Sequence, residues 1–316
     1  MPERGGLPEL RLPPGASPAF DAYCIVDWSA ASVPKTGADS IWMALFRWAD
    51  PEPSLEVMNC RTRHSLAAEL TVRLCGPLAG QRVLVGFDFP FGYPRGFAAA
   101  LGHRGPPGTA WTTVWSTLDD AVRDDARNAN NRFEVAARLN AQVSRGFGPF
   151  FGRPNVVASR VAAHLPTRQR GSFEFPLRTR SGPTLERDRL ADRRAKTAST
   201  PWFVFGGANS VGGQALVGIP HVARLRKALP DARIWPFETG ALLPARGDAR
   251  IVLAEVYPSL FYARQDGAEV HDRQQVIATA RELARCDADG SLEKLFAAPG
   301  TDPAAVQEEG WILGVP

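Results

Sequence analysis

Cysteine is scarce in this chain: four residues in 316, at Cys24, Cys60, Cys75 and Cys286. None forms a C-x-x-C pair and the spacings are irregular. That argues against a disulfide framework or a cysteine zinc site, and for reduced thiols in a cytoplasmic protein. Cys24 and Cys75 have apolar neighbours and are expected to pack rather than react. Long apolar runs are missing as well. No stretch reaches the roughly 18 residues of a membrane-spanning helix, so no membrane partner is expected. The opening "MPERGGLPELRLPPGASPAF" lacks the apolar centre of a secretion signal, and residues 1–20 read as a flexible lead-in. The five histidines show no metal-ligand spacing and no serine stands in G-x-S-x-G, so neither a zinc hydrolase nor a Ser-His-Asp enzyme is indicated.

What is present is an ordinary globular composition, 44% hydrophobic and 22% charged. "YCIVDWS", "IWMALFRW" and "SLEVMNC" read as three strands joined by short turns into an antiparallel meander. "HSLAAELTVRLCG" repeats Leu66, Leu70 and Leu74 every fourth residue and stops at Gly76, which predicts an amphipathic helix. "RVLVGFDF" is a buried fourth strand and "DARIVLAEVYPSLF" a fifth, followed by a helix from "HDRQQVIATARELARC". Residues 21–316 are thus expected to form one α/β domain. Its core is a mixed five-stranded sheet with flanking helices, enlarged by a mainly helical insertion at about 91–232.

Three strands run apolar and then present an acid: Asp27 in "CIVDW", Asp88 in "VLVGFDFP" and Glu255 in "RIVLAEVYP". Ligands of open α/β sheets bind at the carboxyl ends of strands. The order strand-strand-strand-helix-strand-insertion-strand-helix is that of an RNase H-like core, in which the first strand lies beside the fourth and the fourth beside the fifth. Neighbouring strands are about 5 Å apart, and carboxylates at that spacing repel unless a proton or cation intervenes. Hard oxygen donors so placed suit Mg²⁺ or Mn²⁺. Asp272, in the first turn of the following helix, is a fourth candidate; the alternative there is a helix cap. For Asp27 and Asp88 the alternative is a carboxylate bonding nearby backbone N–H groups.

"GFDFPFGYP", "AEVYPSLF", the Asp-led "DRQQVIATA" and the terminal "EEGWILGV" together resemble the family of predicted RNase H-like nucleases known as domain of unknown function family 429. The likeness runs from Tyr23 to Val315. It implies an RNase H-like fold, and it implies that Asp27, Asp88, Glu255 and Asp272 occupy the family's acidic, metal-binding and catalytic positions. In many relatives the helix aspartate opens an Asp-Ala run with a second acid nearby; here Arg273 follows Asp272. The implied activity is divalent-metal-dependent phosphodiester hydrolysis on a nucleic acid or other phosphate-bearing substrate. Relatives of this longer type carry names linked to molybdopterin-type cofactor synthesis, which leaves a non-catalytic accessory role as an alternative.

Two further signals bear on phosphate. "VDWSAAS" resembles the phosphate loop of actin-like ATPases, with Ser29 and Ser32 facing nucleotide, although Ser29 replaces the usual glycine. A nucleotide- or phosphate-binding protein on the same core is therefore a further alternative. "FGGANSVGG" is glycine-rich without matching either standard phosphate loop; it reads as a tight structural loop or a substrate contact. From Arg168 to Lys196 there are nine Lys and Arg against four acids. This segment is either a solvated loop or a polyanion surface, with Arg178 and Arg180 as candidate phosphate contacts.

Overall fold

The computed structural model describes residues 3–6, 10–48, 52–155, 159–196, 199–206, 210–262 and 270–316. Its strands are β1 Glu3–Gly6, β2 Ala22–Asp27, β3 Ile41–Arg47, β4 Ser54–Cys60, β5 Val83–Phe87, β6 Leu177–Arg178, β7 Thr184–Leu185, β8 Ala232–Ile234, β9 Ile251–Val256 and β10 Ile312–Leu313. Its helices are α1 Arg63–Cys75, α2 Phe97–Ala100, α3 Ala110–Ala121, α4 Arg132–Val143, α5 Ser159–Ala162, α6 Leu190–Ala195, α7 Val211–Ala228, α8 His271–Ala288, α9 Leu292–Leu295 and α10 Pro303–Glu309.

The main sheet is mixed, in the order β1-β4-β3-β2-β5-β9-β10, with β8 also paired to β9. The meander β2-β3-β4 is antiparallel, as expected. Strands β2, β5 and β9 are parallel, so the first core strand lies beside the fourth and the fourth beside the fifth. The sheet is wider than the five strands expected. Two short segments share the outer edge of β9: β8 runs beside Ile251–Leu253, and β10 beside Glu255 and Val256. At the opposite edge Glu3–Gly6, read from sequence as part of a flexible lead-in, pairs antiparallel with β4. An unpaired β4 would expose a row of backbone donors and acceptors, and any extended segment that reaches it can satisfy them.

Strand side chains alternate between faces, and each face is covered. One carries Val26, Val85, Phe87 and Leu253 and packs against Leu66, Leu70 and Leu74 of α1 and against Leu216 and Val222 of α7. The other carries Ile25, Leu84, Val252 and Val256 and packs against Val276, Ala280 and Leu283 of α8. The central strands are buried on both faces, which is why β2, β5 and β9 read as continuous apolar runs. The insertion between β5 and β9 holds α2–α7, but also the antiparallel pair β6-β7. Cys24, Cys60 and Cys286 are buried free thiols, whereas Cys75 is exposed rather than packed. Burial pushes the Cys24 thiol up to about 12 and that of Cys60 to about 11, which makes both poor nucleophiles. Among the described residues no helix is long and apolar enough to cross a membrane.

A paired-aspartate site at the ends of two parallel strands

Asp27 is the last residue of β2, and Asp88 directly follows β5. The register that sets Val26 against Phe87 continues through a hydrogen bond from the Asp88 amide to the Val26 carbonyl at 3.2 Å. The two aspartates therefore stand side by side, both on the α8 face of the sheet. The Asp27 and Asp88 carboxyls are hydrogen-bonded to each other. Asp88 Oδ1 also accepts the Trp28 amide at 2.7 Å. Burial raises the pKa of both carboxyls well above the ordinary value; for Asp27, the negative charge of Asp88 comes next. Two carboxylates this close cannot both ionise cheaply, so the pair retains a proton.

Asp272, in the first turn of α8, lies near enough for its charge to act on both, although the three carboxylates do not bring their oxygens within 4.8 Å of one another. Its carboxylate does not cap its own helix. It accepts the Asp39 amide at 2.6 Å and the Ser40 amide, tying α8 to the turn before β3. Burial raises its pKa too. Asp39, with φ at +50°, is itself an acid at the mouth of this site, where it pairs with Lys35 at 3.2 Å. The charged groups that act most strongly on Asp27 are all acids: Asp88, Asp272 and Asp39.

Glu255 does not join them. Its partner across the β5–β9 register is Phe87, one residue short of Asp88, so it points to the opposite face. There Arg189, fully buried, grips it with Nη2–Oε1 at 2.6 Å and Nη1–Oε2 at 2.7 Å, while the Phe91 amide bonds Oε2 at 2.9 Å. Arg189 also binds Asp192 and the Glu309 carbonyl. The Glu309 carboxylate takes the amides of Arg95 and Leu190, and Glu308 takes that of Gly96. A Cβ on Gly92 would collide with the Glu309 carbonyl. "FGYP" and the terminal "EEG" are thus two halves of one structural lock, and Glu255 is part of it.

The expected phosphate contacts are also placed elsewhere. Ser29 Oγ accepts the Ala31 amide at 3.2 Å and donates to the Asp39 carbonyl at 3.4 Å, a local turn beside the site. Ser32 Oγ accepts from Arg132 at 2.9 Å. Arg178, on β6, and Arg180, in the turn between β6 and β7, are exposed residues of the insertion, and the Arg180 side chain bonds the Ser144 carbonyl at 2.5 Å. No hydrogen bond or ion pair among the described residues joins either arginine to the aspartates. In the basic segment, Arg193 and Arg194 are occupied with backbone carbonyls. Of "FGGANSVGG", residues 207–209 lie outside the described residues. Gly212 opens α7 where a Cβ would meet the backbone oxygens of Pro201 and Phe203, a structural need for glycine.

A second cluster was not legible from sequence spacing. His64 on α1, His221 on α7 and Asp124 after α3 bring their ligand atoms within 4.8 Å of one another, the one such group among the described residues. Only tertiary packing joins residues so far apart in the chain. Comparison with protein-family models, curated proteins and solved structures returned no match.

Proposed function

We propose that this chain is a divalent-cation-dependent hydrolase of RNase H-like architecture that acts on phosphodiesters, with Asp27, Asp88 and Asp272 as the cation ligands. One observation carries the proposal: two carboxyls buried side by side at the ends of adjacent parallel strands, hydrogen-bonded to each other, with acids as their strongest charged neighbours among the described residues. A structural carboxylate in a protein interior is normally matched by a cation, as Arg189 matches Glu255 here. Among the described residues the strongest charges acting on Asp27 are acids, and a hard divalent ion would supply the match in place of a proton. The sheet order β4-β3-β2-β5-β9, with three parallel strands and an antiparallel meander, supports the RNase H-like reading.

Bound there, Mg²⁺ or Mn²⁺ would activate water and offset charge developing on phosphate. The residues supply positioning. The Trp28 amide fixes Asp88, and the Asp39 and Ser40 amides fix Asp272. The carboxyl pair would hold the cation together with Asp272 and would give up its shared proton to solvent on binding it. The test is hydrolysis of bis(p-nitrophenyl) phosphate and of single- and double-stranded oligonucleotides with added Mn²⁺ or Mg²⁺. Asp88→Asn should fold and lose at least about a hundredfold in rate, since a metal's charge stabilisation amounts to several kcal/mol. Equal rates for wild type and a folded Asp88→Asn protein would refute the assignment.

A further inference from the structure

We propose that His64, Asp124 and His221 form a second metal site, on the sheet face opposite the aspartates, that takes a borderline transition ion such as Zn²⁺ rather than Mg²⁺. It stands independently of the function proposed above.

The three residues come from three elements. His64 is the second residue of α1, His221 lies within α7, and Asp124 follows α3. The two imidazole rings meet edge to face, with centroids 5.2 Å apart at 88°. His221 Nε2 lies 2.8 Å from Asp124 Oδ2, and His64 Nε2 lies 2.9 Å from the Asp124 backbone oxygen. His221 is 7% exposed and His64 half-buried, so a cation could enter along His64.

The carboxylate is held in place from behind. Arg63, fully buried, donates Nε and Nη2 to the two carboxylate oxygens of Asp124 at 2.7 and 2.5 Å. Its remaining donors go to the carbonyls of Ser29, Ala31 and Asn128. Asp124 is thus paired with a guanidinium through both of its oxygens. His221 Nε2 faces the Asp124 carboxylate from the middle of α7. The charged and titratable groups facing it are Asp124, His64 and Arg63.

Charge sets the choice of ion. Asp124 and Arg63 cancel, so two imidazoles and one already neutralised carboxylate face the ion. Hard cations need several anionic oxygens and find one. Zn²⁺, Co²⁺ or Ni²⁺ accept imidazole nitrogen readily, and two histidines, an aspartate and a water complete a tetrahedron. Arg63 then acts as the outer partner that orients the carboxylate. The site also touches the first one through a single residue: the Trp28 ring packs on His221 with centroids 5.3 Å apart, while its amide holds Asp88.

The experiment titrates Zn²⁺ into the full chain by calorimetry near neutral pH and follows the visible absorption of added Co²⁺. The proteins are wild type, His64→Ala, His221→Gln, the control His103→Ala and Asp27→Asn/Asp88→Asn, each checked for folding by near-ultraviolet circular dichroism. Wild type, the His103 control and the double aspartate variant should bind one Zn²⁺ alike and develop the Co²⁺ bands. His64→Ala and His221→Gln should each lose at least about tenfold in affinity, the loss that even an outer partner's removal causes, and should lose the bands. His64 stands at a helix start, so its variant keeps the test open if the His221 variant does not fold. Absence of Zn²⁺ binding to wild type, or wild-type affinity in a folded His64→Ala protein, would overturn the proposal. Loss of binding in the double aspartate variant alone would assign the Zn²⁺ to the first site and overturn it equally.

Discussion

Asp27 and Asp88 are hydrogen-bonded to each other across the ends of β2 and β5, and burial raises the pKa of both carboxyls. This relationship between two residues 61 positions apart follows from one register, Val26 beside Phe87.

The raised Asp27 pKa has a definite sign for stability. Between the unfolded value of about 3.9 and the higher native value, the native state holds a proton that the unfolded chain releases. Stability therefore falls as pH rises through that window. Asp27→Asn keeps the hydrogen bond to Asp88 and removes the titration. In metal-free protein it should flatten that fall and raise stability at neutral pH. Denaturant unfolding at a series of pH values checks this; a variant less stable than wild type at neutral pH would give Asp27 a structural role instead.

Asp124 has the opposite sign. Its native pKa of about 2 lies below the model value of 3.8, so its contribution is present above that value and is lost as pH falls toward 2. The gap corresponds to roughly 2 kcal/mol. Asp124→Asn should lower neutral-pH stability by at least that amount and make the acid limb of the stability profile shallower. An unchanged acid limb would mean that Arg63 does not hold the ionised carboxylate in solution.

Arg189 and Glu255 should behave as structure. Arg189→Met leaves Glu255 and Asp192 without their buried cation and should cost about 3–5 kcal/mol. Glu255→Gln should also destabilise, yet leave the Mn²⁺ affinity of the folded protein unchanged. A Glu255→Gln protein that folds normally but no longer binds Mn²⁺ would return Glu255 to the metal site.

Gly92→Ala offers a narrower test. The added methyl meets the Glu309 carbonyl, a backbone atom that cannot swing aside. Overpacking of this kind costs about 1–3 kcal/mol, which thermal unfolding would register. No measurable change would show that the lock between the "FGYP" loop and the C-terminal segment is loose.

Much of the sheet was legible because the central strands are apolar throughout and the helices keep their leucine spacing. Leu66, Leu70 and Leu74 are all buried, and the paired positions of Asp27 and Asp88 follow from strand order. Glu255 was misplaced by one residue. A strand buried on both faces has no polar alternation, so nothing in "RIVLAEV" shows which way its acid points. Arg189, Asp39 and the His64–Asp124–His221 group were not singled out because the contacts that place them, to Glu255, to Asp272 and to one another, join residues distant in sequence. The basic segment illustrates this: one of its arginines is fully buried.

The central claim is that the aspartate pair exchanges its proton for a divalent cation. Titration of Mn²⁺ by calorimetry into wild-type protein and into the Asp27→Asn/Asp88→Asn variant tests it directly. The account predicts saturable binding to wild type, with proton release detectable as a buffer-dependent heat, and its loss in the folded variant. Absence of Mn²⁺ binding to wild type, or equal binding by both proteins, would contradict it.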